Sequence, residues 1–353
     1  MSKKEVLILF GGSGSEHEVS CMSAASVLDH IDREKYKIRT VGITKEGKWI
    51  ETAAPGEKIK DGSWIRRINN REVYISPDKT FRGMRTLRGR EYKLDCVFPI
   101  LHGKEGEDGT IQGLLEISGI PFVGCGVLSS ACAMDKAVTK ALVGNTGIRQ
   151  ARYCVTDRYT FSSQPMEELA RIERVFRDEY PLFVKPACEG SSVGITKATT
   201  RGELLEGIKK AALADHKVLI EEAITGREME VAVLGNRSPH ASPIGEIFSG
   251  EEFYTYEAKY HNSASRTEIV TDLPPTKECE MKDAALTIYK TLGCRGMARV
   301  DFFYSDEGEV VFNEINTIPG FTEISMYPKM WEAAGIDYTE LIDRLIELAM
   351  EEE

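Results

Sequence analysis

Two short segments near the carboxyl end carry the residues best suited to chemistry. Ala298-Arg299-Val300-Asp301-Phe302-Phe303 and Val311-Phe312-Asn313-Glu314-Ile315-Asn316 both place polar groups at alternate positions, the pattern of a β-strand with two unlike faces. On such strands Arg299 and Asp301 share a face, as do Glu314 and Asn316. The turn Asp306-Glu307-Gly308 between them predicts a hairpin that brings the four groups together. Two carboxylates and an amide oxygen, without histidine or thiolate, form a hard-oxygen donor set suited to Mg²⁺ or Mn²⁺ rather than zinc. Such a site usually holds a nucleotide's phosphates. A solvated edge hairpin accounts for the same alternation equally well, so the spacing alone leaves both readings open.

A second phosphate-binding feature begins at Lys185, which ends the apolar run Leu182-Phe183-Val184 and precedes a Gly-Ser-rich loop reaching Gly194. Backbone N–H groups and hydroxyls in such a loop, beside an ammonium, can wrap a polyphosphate; taken singly, such a loop is usually just a turn. No Gly-x-x-x-x-Gly-Lys-Ser/Thr occurs, which excludes a P-loop. The first turn, Gly11-Gly12-Ser13-Gly14-Ser15-Glu16, does not complete a Gly-x-Gly-x-x-Gly fingerprint because His17 takes the last position. A hydride-transfer reading lacks its dinucleotide site accordingly.

The elements that must position these groups follow an α/β order. The apolar run Val6 to Phe10, the glycine-rich turn and a helical stretch from Val19 to Leu28 open a parallel sheet. Strands are predicted at Ile38 to Ile43 and Cys96 to Ile100, with a helix at Gln112 to Ile117 before Pro121-Phe122-Val123, so a first unit spans 1–125. Between Thr44 and Leu94 the chain is charged and turn-rich, with strand-like Val73 to Ile75, and reads as a hairpin insertion without chemistry. A central unit, 126–221, carries helices at Cys132 to Val143, Met166 to Glu179 and Arg201 to Ala214, and strands at Leu182 to Lys185 and Val218 to Glu221. The last unit, 222–353, has strands at Glu228 to Leu234, Met297 to Phe303 and Glu309 to Asn316, and helices at Glu280 to Leu292 and Tyr338 to Glu351. Leu341, Ile342, Leu345, Ile346 and Leu348 fall at helical spacing and pack a core.

The chain has 353 residues, enough for two or three compact units. Its net charge of −11 repels phosphodiester polymers and anionic lipid, which argues against nucleic acid and membrane partners. No apolar run approaches the roughly 18 residues a membrane helix needs. The amino terminus begins like a signal peptide, but its apolar run gives way too soon to glycine and reads better as a first strand. The eight cysteines show neither Cys-x-x-Cys nor zinc-ligand spacing and read as small buried hydrophobes in a reducing cytoplasm.

Seven segments in series resemble the motifs of D-alanine:D-alanine ligases, members of the ATP-grasp superfamily. They are Gly11 to Ser20, His102 to Gly113, Met134-Asp135-Lys136, Lys185 to Gly194, Phe253 to Tyr260, Arg299-Val300-Asp301 and Glu314 to Gly320. They occur in the family's order and span nearly the whole chain, which makes the set specific. The resemblance implies three α/β domains with ATP between the central and carboxy-terminal ones. It implies phosphorylation of one D-alanine carboxylate, attack on that acyl phosphate by the amine of a second D-alanine, and a dipeptide that feeds peptidoglycan synthesis. It also favours a homodimer and Mg²⁺ or Mn²⁺, two ions rather than one.

Residue by residue, the resemblance makes Asp301, Glu314 and Asn316 metal ligands and Lys136 and Lys185 phosphate ligands. It places Lys259 in a closing loop, 250–266, whose purpose is to keep water from the acyl phosphate. Glu221, Glu222, Ile224 and Glu228 match the adenine hinge and the ribose hydroxyls, and Tyr254 lies in the lid. Glu16 matches the carboxylate that receives the first D-alanine's ammonium, linked through Ser191 and Tyr260; a helix N-terminal acid is the plainer alternative. Arg299 and the Gly320 N–H match the oxyanion donors. Ser325 matches the hydroxyl for the second substrate's carboxylate, beside Met326, and His102 lies near the substrate or serves a structural turn. Two positions depart from the pattern, Gly14 where serine is usual and Phe312 where an aliphatic residue is usual. Tyr260 favours D-alanine over a hydroxy acid as second substrate, and Tyr254, Tyr256 and Tyr260 with the pocket residues near Met326 bear on whether D-serine is accepted.

Overall fold

The computed structural model describes residues 3–190, 193–248 and 266–351. An apolar run can shed water from both faces only inside a covered sheet. Thus β1 (Lys4–Gly11), with Val6 to Phe10 fully buried, lies parallel to β2 (Tyr36–Ile43) on one side and β7 (Cys96–Ile100) on the other. The expected hairpin insertion instead continues this sheet antiparallel. Strands β3 (Trp49–Glu51), β4 (Arg71–Ile75), β5 (Gly83–Thr86) and β6 (Glu91–Lys93) give the order β6-β5-β4-β3-β2-β1-β7. The three-residue strands are too short to display an alternation, which is why pattern reading passes over them. Helices α1 (His17–His30), α2 (Gly56–Lys60) and α3 (Thr110–Ser118) belong to this part of the chain.

The helix expected over 132–143 is two helices, α4 (Val127–Met134) and α5 (Lys136–Val143). Asp135 separates them: its backbone is extended and its carboxylate accepts from the N–H groups of Ala137 and Val138, an N-cap that starts a new helix. The second sheet is antiparallel throughout, in the order β10-β9-β11-β8, formed by β8 (Tyr153–Asp157), β9 (Leu182–Pro186), β10 (Thr196–Ala198) and β11 (Lys217–Glu222). It shares a core with α6 (Arg158–Ser163), α7 (Pro165–Phe176) and α8 (Arg201–Ala214), where Phe161, Ile172 and Ile208 meet Leu182, Val184 and Ile220.

The third sheet has the order β14-β13-β12-β15-β16. Its members are β12 (Gly226–Leu234), β13 (His240–Phe248), β14 (Arg266–Ile269), β15 (Met297–Ser305) and β16 (Val310–Asn316). Strand β13 went unread because Pro243 and Gly245 interrupt its pattern. The sheet tolerates the proline because register shifts between Val231 and Val233, and there the Ala232 N–H turns to Ser242 Oγ at 3.0 Å. Helix α9 (Pro275–Thr291) covers this sheet through Met281, Ala285 and Ile288. The last two helices, α10 (Met326–Ala333) and α11 (Tyr338–Ala349), return to the first sheet, where Tyr327, Trp331 and Leu345 join a core containing Ile8, Val27 and Phe98. This return holds the loop after β16 against the loop after β7.

Candidate active site

A cleft of about 860 Å³ is lined by residues of the second and third sheets, with Glu16, Gly103 and Glu107 of the first part of the chain at its wall. On its floor, the pairing of β15 with β16 sets Asp301 opposite Glu314 and Arg299 opposite Asn316. The expected hairpin therefore forms, and the four polar groups share one face. Beside them Phe302 and Phe312 pack edge to face with centroids 6.1 Å apart, and both, though buried, also line the cleft.

Asp301 is held on three sides. Arg299 Nε and Nη2 donate to its two oxygens at 2.8 and 2.6 Å, and Asn316 Nδ2 donates to Oδ2 at 3.0 Å. Glu230, opposite Asp301 on β12, also meets Arg299 Nε at 3.0 Å. Burial opposes the Arg299 charge, yet Asp301 and Glu230 outweigh it and hold the guanidinium protonated. Glu314 is similar: burial disfavours its charge, but Lys136, Lys185 and Arg299 keep its pKa below the ordinary carboxylate value.

Lys136 bridges two walls, donating to the Glu189 carbonyl at 2.8 Å and standing 3.4 Å from Glu314 Oε2. Lys185 Nζ lies 2.6 Å from Glu221 Oε2 and donates to Asn313 Oδ1 at 3.5 Å. Glu221 is buried between two ammoniums, Lys185 and Lys140, which hold its carboxyl at about 2 despite desolvation. Glu222 is pinned by Arg149 and Arg152, and Ile224 lines the cleft in the crossing from β11 to β12. Glu228 has the opposite environment: burial, then the charges of Asp301 and Glu314, push it up to about 7.

Glu16 precedes α1 but does not cap it. Its carboxylate turns instead toward two loops, Gly103 and Gly190. A Cβ on Gly103, whose φ is +68°, would stand 2.4 Å from Glu16 Oε2, and one on Gly190 would stand 3.0 Å away. Glycine at 103 thus serves both the left-handed backbone and the close approach of the acid. His102 is buried rather than on the cleft wall, with Nε2 at 3.1 Å from Ser23 Oγ and Nδ1 at 3.1 Å from the Ile318 carbonyl. Gly320, Ser325 and Met326 also lie beyond the lining of the cleft. Ser325 Oγ accepts from the Thr322 N–H at 3.0 Å and lies 2.8 Å from Thr322 Oγ1, whereas Met326 is packed against Gly245. Ser191, Tyr254, Tyr256, Lys259 and Tyr260, and the stretch 250–265 of the expected closing loop, lie outside the described residues.

Three contributors escaped the sequence reading. Glu230 sits two residues after Glu228, a period-two signal on one strand face. Lys140 sits four residues after Lys136, a helical-face signal. Glu107 lies inside the His102 motif; it accepts from the N–H groups of Gly103 at 2.8 Å and Ile318 at 3.0 Å, tying the two loops together. Burial and then the Glu16 charge raise Glu107 from 4.5 to about 7. A raised carboxyl stabilises the fold fully below about 4.5, and that contribution is lost as pH climbs through about 7. Between pH 4.5 and 8 the wild-type chain should therefore lose about 3 kcal/mol more stability in urea melts than Glu107→Gln does. Parallel pH slopes for the two chains would contradict the assignment.

A cleft between two antiparallel sheets, with Lys185 on one, Lys136 at the start of α5 beside it and a hard-oxygen floor on the other sheet, defines an ATP-grasp enzyme. Family models described as D-ala D-ala ligase N-terminus and D-ala D-ala ligase C-terminus match residues 5–125 and 142–347. A D-alanine–D-alanine ligase B of Clostridium tetani is 49% identical over 99% of this chain and 94% of its own length. A D-alanine–D-alanine ligase of Caldicellulosiruptor bescii is 50% identical over 99% and 96%. Among solved structures, the VanG D-Ala:D-Ser ligase of Enterococcus faecalis superposes with a TM-score of 0.88 at 39% identity, covering 99% of this chain and 100% of that one. The D-alanine-D-alanine ligase of Coxiella burnetii gives 0.87 at 36% identity, covering 99% and 94%. The chain belongs to the D-alanine–D-alanine ligase family.

Proposed function

We propose that the groups assembled in this cleft carry out, in named roles, the family's reaction. The chain is an ADP-forming ligase that joins two D-alanines for peptidoglycan synthesis. The observation that carries the assignment of roles is the facing of Asp301 and Glu314 on adjacent strands, with Asn316 beside them and Lys136 and Lys185 directed at the same space.

This donor set fits a hard divalent cation. Among the described residues no three His, Cys, Asp or Glu side chains form a ready-made cluster; the third donor here is the amide oxygen of Asn316. Burial, and then the charge of Asp301, push the neighbouring Glu228 carboxyl up to about 7. When bound, one or two Mg²⁺ or Mn²⁺ ions would neutralise phosphate charge at Asp301, Glu314 and Asn316. Lys136 and Lys185 hold the phosphates, residues 221–224 receive the adenine edge, and Glu228 accepts from the ribose. Glu16, fixed against Gly103 and Gly190, orients the first D-alanine through its ammonium. Arg299 faces the oxyanion formed when the second amine attacks; from beyond the cleft lining, the Gly320 N–H joins it and Ser325 holds the second carboxylate in this reading. Ser191, Tyr260 and Lys259 complete the closed site in this reading. It keeps units 1–125, 126–221 and 222–353 and places the enzyme in the cytoplasm as a homodimer.

A coupled ADP-release assay over a panel of D- and L-amino acids, with D-serine and D-lactate as alternative acceptors, tests the substrate assignment. D-Alanyl-D-alanine should be the dominant product near neutral pH. A D-lactate or D-serine product in excess of the D-alanine dipeptide would overturn the choice of second substrate.

A further inference from the structure

Lys140 on α5 is 1% exposed and stands behind the cleft wall, outside the lining. Burying an ammonium costs several kcal/mol unless a nearby charge offsets it. Its ion-pair partner is Glu221, itself 3% exposed, with Lys140 Nζ 2.5 Å from Oε1. The other oxygen, Oε2, is held by Lys185 at 2.6 Å. Glu221 and Lys185 share a sheet face, because Lys185 pairs with Leu219 and Glu221 lies two residues further along β11. One carboxylate thus serves two ammoniums, one inside the cleft and one behind it.

This arrangement matters when Lys185 is used. An ammonium committed to Glu221 is not available to a phosphate, and drawing it away would strand a buried carboxylate if Lys185 were its sole partner. We propose that Lys140 is a positioning residue that neutralises Glu221 from behind the cleft, so that Lys185 can turn to the phosphates of the nucleotide. The proposal rests on the reading of Lys185 as a phosphate ligand. The trio carries one net positive charge, and Lys140 directs it toward the cleft by occupying the carboxylate.

Binding of ADP and of adenosine to the full-length chain, measured by titration calorimetry, separates this role from a structural one, because adenosine has no phosphate for Lys185 to meet. Lys140→Met should weaken ADP at least about tenfold and adenosine less than about twofold. Equal losses for both ligands would make Lys140 a support of the adenine pocket and overturn the proposal, as would no loss for either. Glu221→Gln and the double variant Lys140→Met/Glu221→Gln supply a second test that stands even if Lys140→Met fails to fold. Once the carboxylate charge is gone Lys140 has nothing to neutralise, so the two should bind ADP within about twofold of each other. A tenfold cost of Lys140→Met on the Glu221→Gln background would overturn the proposal. Lys185→Met reports on the underlying reading: a loss for ADP without one for adenosine supports it, and unchanged ADP binding would remove it and this inference together. A normal Lys185→Met result with an inert Lys140→Met would remove the Lys140 role alone.

Discussion

Glu314→Gln should lower kcat for D-alanine-dependent ADP release by about 10³-fold while leaving the chain folded. The substitution keeps the shape of the side chain and removes one unit of charge at a rigid strand position opposite Asp301. Lys136, Lys185 and Arg299 hold Glu314 below the ordinary carboxylate range, so this charge is present throughout the neutral range. Its loss weakens the grip on a divalent cation and leaves phosphate charge uncompensated as it moves. Folding is spared because the neighbours keep other partners: Lys136 retains the Glu189 carbonyl and Lys185 retains Glu221. The checks are steady-state ADP release across a range of Mg²⁺ and urea denaturation of the same preparation. Turnover within about tenfold of wild type at ordinary Mg²⁺ would strip Glu314 of its role.

Arg299→Lys is the second large effect, a fall in kcat of about 10²-fold or more, with a stability loss of about 2 kcal/mol. The guanidinium spans Asp301 with two nitrogens and meets Glu230 as well. A lysine offers one nitrogen at one point and cannot keep both carboxylates in register. Part of the buried charge of Glu230 or Asp301 is then less fully compensated, which lowers stability. In the reading of Arg299 as an oxyanion donor, the fixed direction of its N–H groups is lost too, which lowers kcat rather than raising KM. Rapid-quench measurement of dipeptide formation with thermal melts of both chains checks the pair of effects. A lysine variant with native kcat would reassign Arg299 to structure alone.

Lys140 and Glu107 mark where reading from the chain stops. Lys140 follows Lys136 by one helical turn, and nothing in that spacing says that one side chain enters the cleft while the other is sealed behind it. Glu107 is one acid in a charged loop; its raised pKa comes from burial first and then from the Glu16 charge, both set by the packing of distant segments. Strand β13 was missed for a local reason, since proline and glycine count against a central strand. The bulge that admits Pro243 exists because β12 shifts its register beside it.

The sequence by itself determined the floor of the site. Side chains alternate on a strand whatever the strand packs against, so Arg299 with Asp301 and Glu314 with Asn316 had to share faces, and a tight Asp306-Glu307-Gly308 turn had to fold one segment onto the other. The ordered motifs likewise fixed the family, because they are local strings. Tertiary structure alone decided that Glu16 turns from its own helix to Gly103 and Gly190, that the last two helices close the first core, and that two lysines share Glu221. Those outcomes depend on burial and on partners far apart along the chain, where no local period carries information and desolvation sets each charge's worth.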